Sequence, residues 1–175
     1  IPVILYDRIS NTDKYTAFIG CDNYHIGKSM GTFIAQKLQG KGRIVEICGL
    51  DGSSPAMERH LGFMDAIKPY PGIQVIASEE GNWKEEGGVQ AMKRILKKTQ
   101  DFDYVFAHSD RLAWGAYEAA KQMGLQHRYK FTGVDGMATK GGGLELVRDG
   151  ILEASYLYPT KGDEVIALAM KILKH

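Results

Sequence analysis

The sequence is poor in the features that settle a protein's class quickly. Two cysteines, Cys21 and Cys48, stand far apart, which is neither a disulfide framework nor a zinc pattern. The expected state is two buried, inert thiols, the alternatives being one bridge or one reactive thiol. The five histidines (His25, His60, His108, His127 and His175) show no metal-ligand spacing. No apolar run approaches the ~20 residues of a membrane-spanning helix. Charge of one sign is missing too: 22 Lys and Arg against 21 Asp and Glu leave a net +1, without blocks of like charge. That argues against a basic nucleic-acid face or a polybasic membrane patch. Gly49-Leu50-Asp51-Gly52-Ser53-Ser54 precedes a helix start but lacks the spacing of a P-loop or of a dinucleotide fingerprint. No serine is flanked as in a nucleophile elbow. The chain has no initiating Met or signal peptide and opens on Ile1-Pro2-Val3-Ile4-Leu5-Tyr6, which reads as a strand, so it looks cut from something longer.

What is present is an alternation. The chain has 175 residues, 44% of them apolar, enough to bury a sizeable core. Short β-branched runs at Tyr15–Gly20, Arg43–Cys48, Ile73–Ala77, Tyr104–Ala107, Lys130–Val134 and Glu153–Leu157 are bounded by Gly, Pro, Asp or Asn, as expected of strands buried on both faces. Helical patterns lie between them. Asp22 caps the first, which carries Ile26, Met30, Phe33, Ile34 and Leu38 and is closed by Gly40. Ser54 and Pro55 open a second, with Met57, Leu61, Met64 and Ile67 as its expected inner stripe. A third spans about Lys84 to Lys98, and a fourth uses Leu112, Ala113, Ala116, Ala120 and Met123 before Gly124. A fifth and a sixth fall near Gly143–Asp149 and Gly162–Lys174. From Arg43 onward the strands recur near the ~30 residues of a βαβ unit, which predicts an α/β fold with a doubly wound parallel sheet.

Ligands of such sheets sit outside the carboxyl ends of the strands. Those ends hold Asp51, Ser53, Ser54, Glu79, Asn82, Trp83, Ser109, Asp110, Arg111 and Asp135, with Arg59 one turn into its helix. The set mixes planar hydrogen-bonding groups with one large aromatic and contains no obvious nucleophile–base pair.

Several segments then occur in a telling order: Asp7-Arg8, Asp22-Asn23, Glu58-Arg59 with Gly62-Phe63, Ser109-Asp110 with Leu112-Ala113-Trp114-Gly115-Ala116, Gly133-Val134-Asp135-Gly136 and Asp149-Gly150. The series covers nearly the whole chain. It resembles the periplasmic sugar-binding proteins of the ribose-binding type and the related ligand domains of lac-repressor-like transcription factors. Tyr15–Gly20, Gly141-Gly142-Gly143-Leu144-Glu145 and Tyr158-Pro159-Thr160 look closer to one branch, the extracytoplasmic sensor domains of bacterial hybrid two-component regulators, which fuse such a domain to a histidine kinase.

The resemblance implies two lobes joined by crossing segments, with sugar in the cleft between them. It maps residues 1–20 to the end of the N-terminal lobe and the first crossover, and 21–158 to the C-terminal lobe. Residues 159–175 become the second crossover and a helix returning to the N-terminal lobe. It also implies ligand roles. Asp7 and Arg8 would accept from and donate to vicinal hydroxyls, the plain alternative being an exposed ion pair. Arg59 would be the cleft arginine rather than a solvated helix charge. Asp135 would be the cleft aspartate rather than a turn residue. Trp83 would stack on the sugar rather than staple a helix. Tyr158 would offer a hydroxyl at the crossover. Ser109 departs from the family's usual Asn, and His108 beside it is also atypical. Trp114 reads as packing.

The expectation is therefore a non-catalytic, periplasmic sugar-binding sensor domain, the ectodomain of an inner-membrane protein. It needs no cofactor and makes no direct nucleic-acid contact. Its partners would be a small-molecule sugar and the remaining N-terminal lobe, with a homodimer of the intact sensor left open. A transport-associated binding protein and a repressor ligand domain share the fold. An α/β enzyme lobe acting on phosphosugars is a rival from another class.

Overall fold

Parallel strands cannot pair without a crossover, and between successive strands from Lys41–Cys48 to Ala154–Leu157 this chain supplies one helix for each. The computed structural model describes residues 1–174. In chain order the elements are β1 (Ile4–Tyr6), β2 (Ala17–Ile19), α1 (Asn23–Lys37), β3 (Lys41–Cys48), α2 (Ser54–Ile67), β4 (Gly72–Glu80), α3 (Glu85–Lys98), β5 (Tyr104–Ala107), α4 (Asp110–Gln122), β6 (Lys130–Asp135), α5 (Gly143–Arg148), β7 (Ala154–Leu157) and α6 (Gly162–Leu173). Five strands form one all-parallel sheet in the order β4-β3-β5-β6-β7. The chain winds outward from β3 to β4, returns past β3 to β5, and then proceeds to β6 and β7. The reversal places a topological switch point between the carboxyl ends of β3 and β5, where a crevice opens.

The expected elements are present with small shifts at their ends. Asp22 caps α1 by accepting a hydrogen bond from the His25 N–H at 2.7 Å. Gly40, at φ +79°, ends that turn with its N–H on the Ala35 carbonyl. Ser109 caps α4 through the Leu112 N–H. At α2 the N-cap is Ser53, which makes no side-chain cap bond, while the Ser54 hydroxyl accepts from the Ile9 N–H instead.

Helices cover both faces of the sheet. On one side α1 and α2 bury Ile26, Met30, Ile34 and Phe63 against Ile44 and Phe106, with Phe63 and Phe106 stacked at 4.4 Å. On the other, α3, α4 and α5 bury Met92, Ile95, Leu112 and Leu146 against Val45, Ile47 and Phe131. Four expected inner positions are corrected. Met57, Leu61 and Met64 are 54%, 56% and 38% exposed, and Met123 is also exposed. The face that α2 buries carries Arg59, Gly62, Phe63 and Ala66. Glycines select it: a Cβ on Gly62 would lie 1.9 Å from the Tyr24 carbonyl oxygen, and one on Gly27 would lie 2.0 Å from that of Arg59. The α1 and α2 backbones therefore touch, and the contact fixes the rotation of α2 that aims Arg59 inward.

β1 and β2 form a separate two-stranded parallel sheet. Cross-links tie its neighbourhood to the chain after β7. The Tyr6 hydroxyl donates to the Thr160 carbonyl, and the Cys21 thiol donates to the Pro159 carbonyl at 3.0 Å. α6 follows and buries none of its residues, leaving Ile166, Met170 and Leu173 more than half exposed.

Candidate functional site

The crevice at the switch point is a cavity of about 190 Å³. Asp7, Arg8, Arg59, Trp83, Ser109, Asp135 and Tyr158 all line it, joined by Pro55 and Arg111. The seven come from six places: the segment after β1, the second turn of α2, the loop after β4, the cap of α4, the last residue of β6 and the segment after β7. All seven residues expected from the sequence are thus brought together. Pro55 and Arg111 carried a signal, since one opens a helix and the other follows a strand end, but neither had been assigned to the site.

Arg59 is the centre of the arrangement and is 3% exposed, so it is no solvated helix charge. Its Nε donates to Asn23 Oδ1 at 3.0 Å and its Nη1 donates to the His108 carbonyl. Those bonds hold the guanidinium plane over the rings of Trp83 and Tyr158, 5.4 and 5.2 Å from their centroids. Burial lowers its pKa, while the nearby Asp135, Tyr158 and Asp7 act to raise it.

Trp83 rests against Gly49, where any Cβ would come within 2.0 Å of the indole ring. Its Nε1–H is buried and has no hydrogen-bond partner. An orphaned donor of that kind costs about 1–3 kcal/mol. Arg8 also lies over the ring, 5.7 Å from its centroid.

Two carboxylates bear on the floor. Burial, and secondarily the neighbouring Asp110, push Asp135 up to about 7, against the pull of Arg59. Burial pushes Asp110 up to about 6, although it accepts from the Ser155 hydroxyl at 2.6 Å and the Gly136 N–H at 2.8 Å. Gly143 makes room for this carboxylate, since a Cβ there would sit 2.0 Å from Asp110 Oδ2. At the opposite rim Tyr158 donates to Asp7 Oδ1 at 2.6 Å. Asp7 also makes an exposed ion pair with Arg8 at 3.6 Å, the plain alternative to the ligand role expected of the two.

Backbone strain gathers here. Asp7, Trp83 and Asp135 have φ of +67°, +60° and +124°, and Asn82 has +52°. Such conformations cost non-glycine residues roughly 1–3 kcal/mol each and persist only where the surroundings impose them. Ser109 gives its hydroxyl oxygen to the α4 cap and keeps a proton to donate. His108 faces away from the cavity and is fully buried behind it. Trp114 packs beside Tyr117 in the core, as expected. No member of the cavity forms a nucleophile–base pair with another. The surface instead offers fixed donors, fixed acceptors and one flat apolar ring.

The sequence profile of the periplasmic binding protein domain matches residues 1–175. The chain belongs to the periplasmic binding protein domain family. Among solved structures, the fructose-binding periplasmic domain of a hybrid two-component system is similar with a TM-score of 0.96 and 51% identity, covering 99% of this chain and 58% of that one. The galactofuranose-binding protein of Escherichia coli is 33% identical over 72% of this chain and 42% of its own. The ribose import binding protein of Haemophilus influenzae is 31% identical over 99% of this chain and 58% of its own. The chain thus spans about half the length of the curated relatives it matches and has the α/β fold of one lobe of that family. No helix among the described residues is long and apolar enough to cross a membrane.

Proposed function

We propose that the chain is the C-terminal lobe and hinge region of an extracytoplasmic sugar sensor, holding one side of a carbohydrate. Residues 1–20 and 159–175 then belong to the end of the N-terminal lobe, the crossovers and the returning helix, and residues 21–158 to the C-terminal lobe. The convergence of Asp7, Arg8, Arg59, Trp83, Ser109, Asp135 and Tyr158 on one cavity supports this reading most directly. Carboxylates and guanidinium groups match vicinal hydroxyls in planar fashion, and an indole covers the C–H face of a sugar ring.

The cavity's size supports the two-sided arrangement. At about 190 Å³ it falls short of the ~300–1,000 Å³ of a complete small-molecule pocket. A sugar gripped by one wall alone binds without shifting a conformational equilibrium, because only differential contact does so. Taking an open–closed balance from 1:99 to 99:1 requires ~5.5 kcal/mol in favour of the closed form. Groups of the other lobe supply that difference, and closure carries the signal.

The likeness to a two-component sensor domain at 51% identity favours a sensor whose parent carries a histidine kinase. The curated relatives named for sugar import support a transport role as the second reading. In both, the lobe is extracytoplasmic and performs no chemistry on its ligand.

A thermal-shift panel on the two-lobe protein tests the reading, since a specific ligand stabilises by RT ln(1 + [L]/Kd). Fructose heads the panel, followed by ribose, arabinose and galactose. A melting shift for one sugar, lost in Arg59→Lys, is the expected result. No shift with any sugar overturns it. Titration calorimetry of the isolated 175-residue chain should show far weaker binding, and equal affinity would refute the two-wall account.

A further inference from the structure

Glu46 occupies the middle of β3, at the centre of the sheet, and is fully buried. A carboxylate there costs several kcal/mol unless compensated. Its hydrogen-bonding partners are two imidazoles and a hydroxyl. Oε1 faces His108 Nε2 at 2.9 Å. Oε2 faces His60 Nδ1 at 2.8 Å and accepts from the Ser78 hydroxyl at 3.2 Å. His108 Nδ1 accepts from the Gly49 N–H at 3.3 Å, so that ring is neutral with its one proton on Nε2. No lysine or arginine is bonded to the Glu46 carboxylate among the described residues.

Cys48 lies two residues along the same strand, with its Sγ 3.2 Å from Ser78 Oγ. One donor atom each from Glu46, Cys48 and His108 lie within 4.8 Å of one another. A cavity of about 350 Å³ opens at Cys48, lined also by His60 and Ser78 and edged by Asp51 and Glu80, with Glu46 and His108 buried behind its wall. It is separate from the sugar crevice and shares no lining residue with it.

We infer that Glu46, Cys48 and His108 form a binding site for a zinc-class divalent cation, reached through this second cavity. A thiolate, an imidazole and a carboxylate are the donor set of zinc, whereas calcium and magnesium take oxygens. Bonds of about 2.0–2.3 Å would set the three donors roughly 3.4 Å apart, so the group, which now lies within 4.8 Å, closes by up to about 1.4 Å while Glu46 Oε1 and His108 Nε2, now at 2.9 Å, part by about 0.5 Å. His60 on Oε2 and Ser78 between the thiol and the carboxylate orient the ligands from outside, and access is from the side of Cys48, the ligand that lines the cavity. The protons balance simply. Cys48 gives up one to solvent, and the His108 proton moves from Nε2 to Nδ1, breaking the weak Gly49 contact. Binding therefore releases one proton per cation.

The test is titration of the full chain with Zn²⁺ in the absence of sugar, by calorimetry in buffers of differing ionisation heat, and with Co²⁺ followed by absorbance. Expected are one equivalent bound, one proton released, and a thiolate-to-cobalt band that Cys48→Ser removes. His60→Asn should weaken binding about 10-fold or more. Zn²⁺ should also protect Cys48 of the unmutated chain from alkylation while Cys21 still reacts, a readout that no misfolded variant can confuse. Absence of stoichiometric binding overturns the proposal. So does binding that Cys48→Ser leaves unchanged, which would place the cation on surface histidines.

Discussion

Tyr158 donates its hydroxyl to Asp7 Oδ1 at 2.6 Å, across 151 positions of chain. Burial, then the bond to Asp7, raises the tyrosine's pKa, so the phenol keeps its proton and donates throughout the physiological range. The pair joins the segment after β1 to the segment after β7 at the lip of the crevice. Tyr158→Phe should cost about 1.5–3 kcal/mol of stability, the value of a bond to a charged acceptor. It should weaken sugar binding by the two-lobe protein on the order of 10-fold, because Asp7 is left free to turn away. Chemical denaturation and titration calorimetry measure the two effects, and an unchanged affinity would remove Tyr158 from the site.

Gly49→Ala should act through Trp83. The new methyl group would lie 2.0 Å from the indole, so ring or loop must move. Overpacking of this kind costs roughly 1–3 kcal/mol. The expected signature is a large loss of sugar affinity with a modest fall in melting temperature. Gly124→Ala is the control: φ is +71° there with open space around it, so strain appears without any change in binding.

Arg59→Lys should keep the fold and lose the ligand. Lysine preserves the charge but cannot span Asn23 Oδ1 and the His108 carbonyl at once. Affinity should fall more than about 10-fold, with a stability loss of about 1–3 kcal/mol from the two abandoned acceptors. Arg59→Ala should be worse for stability, since it empties a buried volume between two rings.

The paired acids make stability fall as pH rises through neutrality. In the unfolded chain both Asp110 and Asp135 titrate near ~4. Folding raises them to about 6 and about 7. Between these limits the native state binds more protons than the unfolded one, so the contribution is fully present below about pH 4 and is lost by about pH 7. Its size is on the order of 7 kcal/mol for the pair. Glu46 works in the opposite sense at lower pH: its hydrogen bonds with His108 and His60 outweigh burial and hold it at about 2, so its contribution disappears as pH falls from ~4.5 toward 2. Urea melts of the unmutated chain and of Asp110→Asn should therefore diverge between pH 4 and pH 7 and run parallel outside that window. Parallel curves throughout would discard the coupling of the two acids.

The alternation of short apolar runs with amphipathic stretches was enough to read the parallel sheet, because each strand is buried on both faces and each crossover is one helix. Trp83, Ser109 and Asp135 were readable for a related reason, since a doubly wound sheet brings its strand ends to one edge, whereas Asp7, Arg8 and Tyr158 were reached only through the family resemblance. The inner face of α2 was not. Met57, Leu61 and Met64 and the true inner set both recur at helical spacing, and only the close approach at Gly27 and Gly62 decides between them. The Glu46–Cys48–His108 group was equally hidden, as His108 stands 62 positions from Glu46 and meets it only through the pairing of β3 with β5. Ser109 shows a third limit, since one hydroxyl serves as helix cap and cavity wall at once.

The cross-links between Asp7 and Tyr158, Cys21 and Pro159, and Tyr6 and Thr160 have a mechanical consequence. Two straps stitched edge to edge flex readily across their width and resist torsion. On the proposed two-lobe reading, whatever rides on β1, β2 and α6 is thereby left one easy swing with twisting resisted.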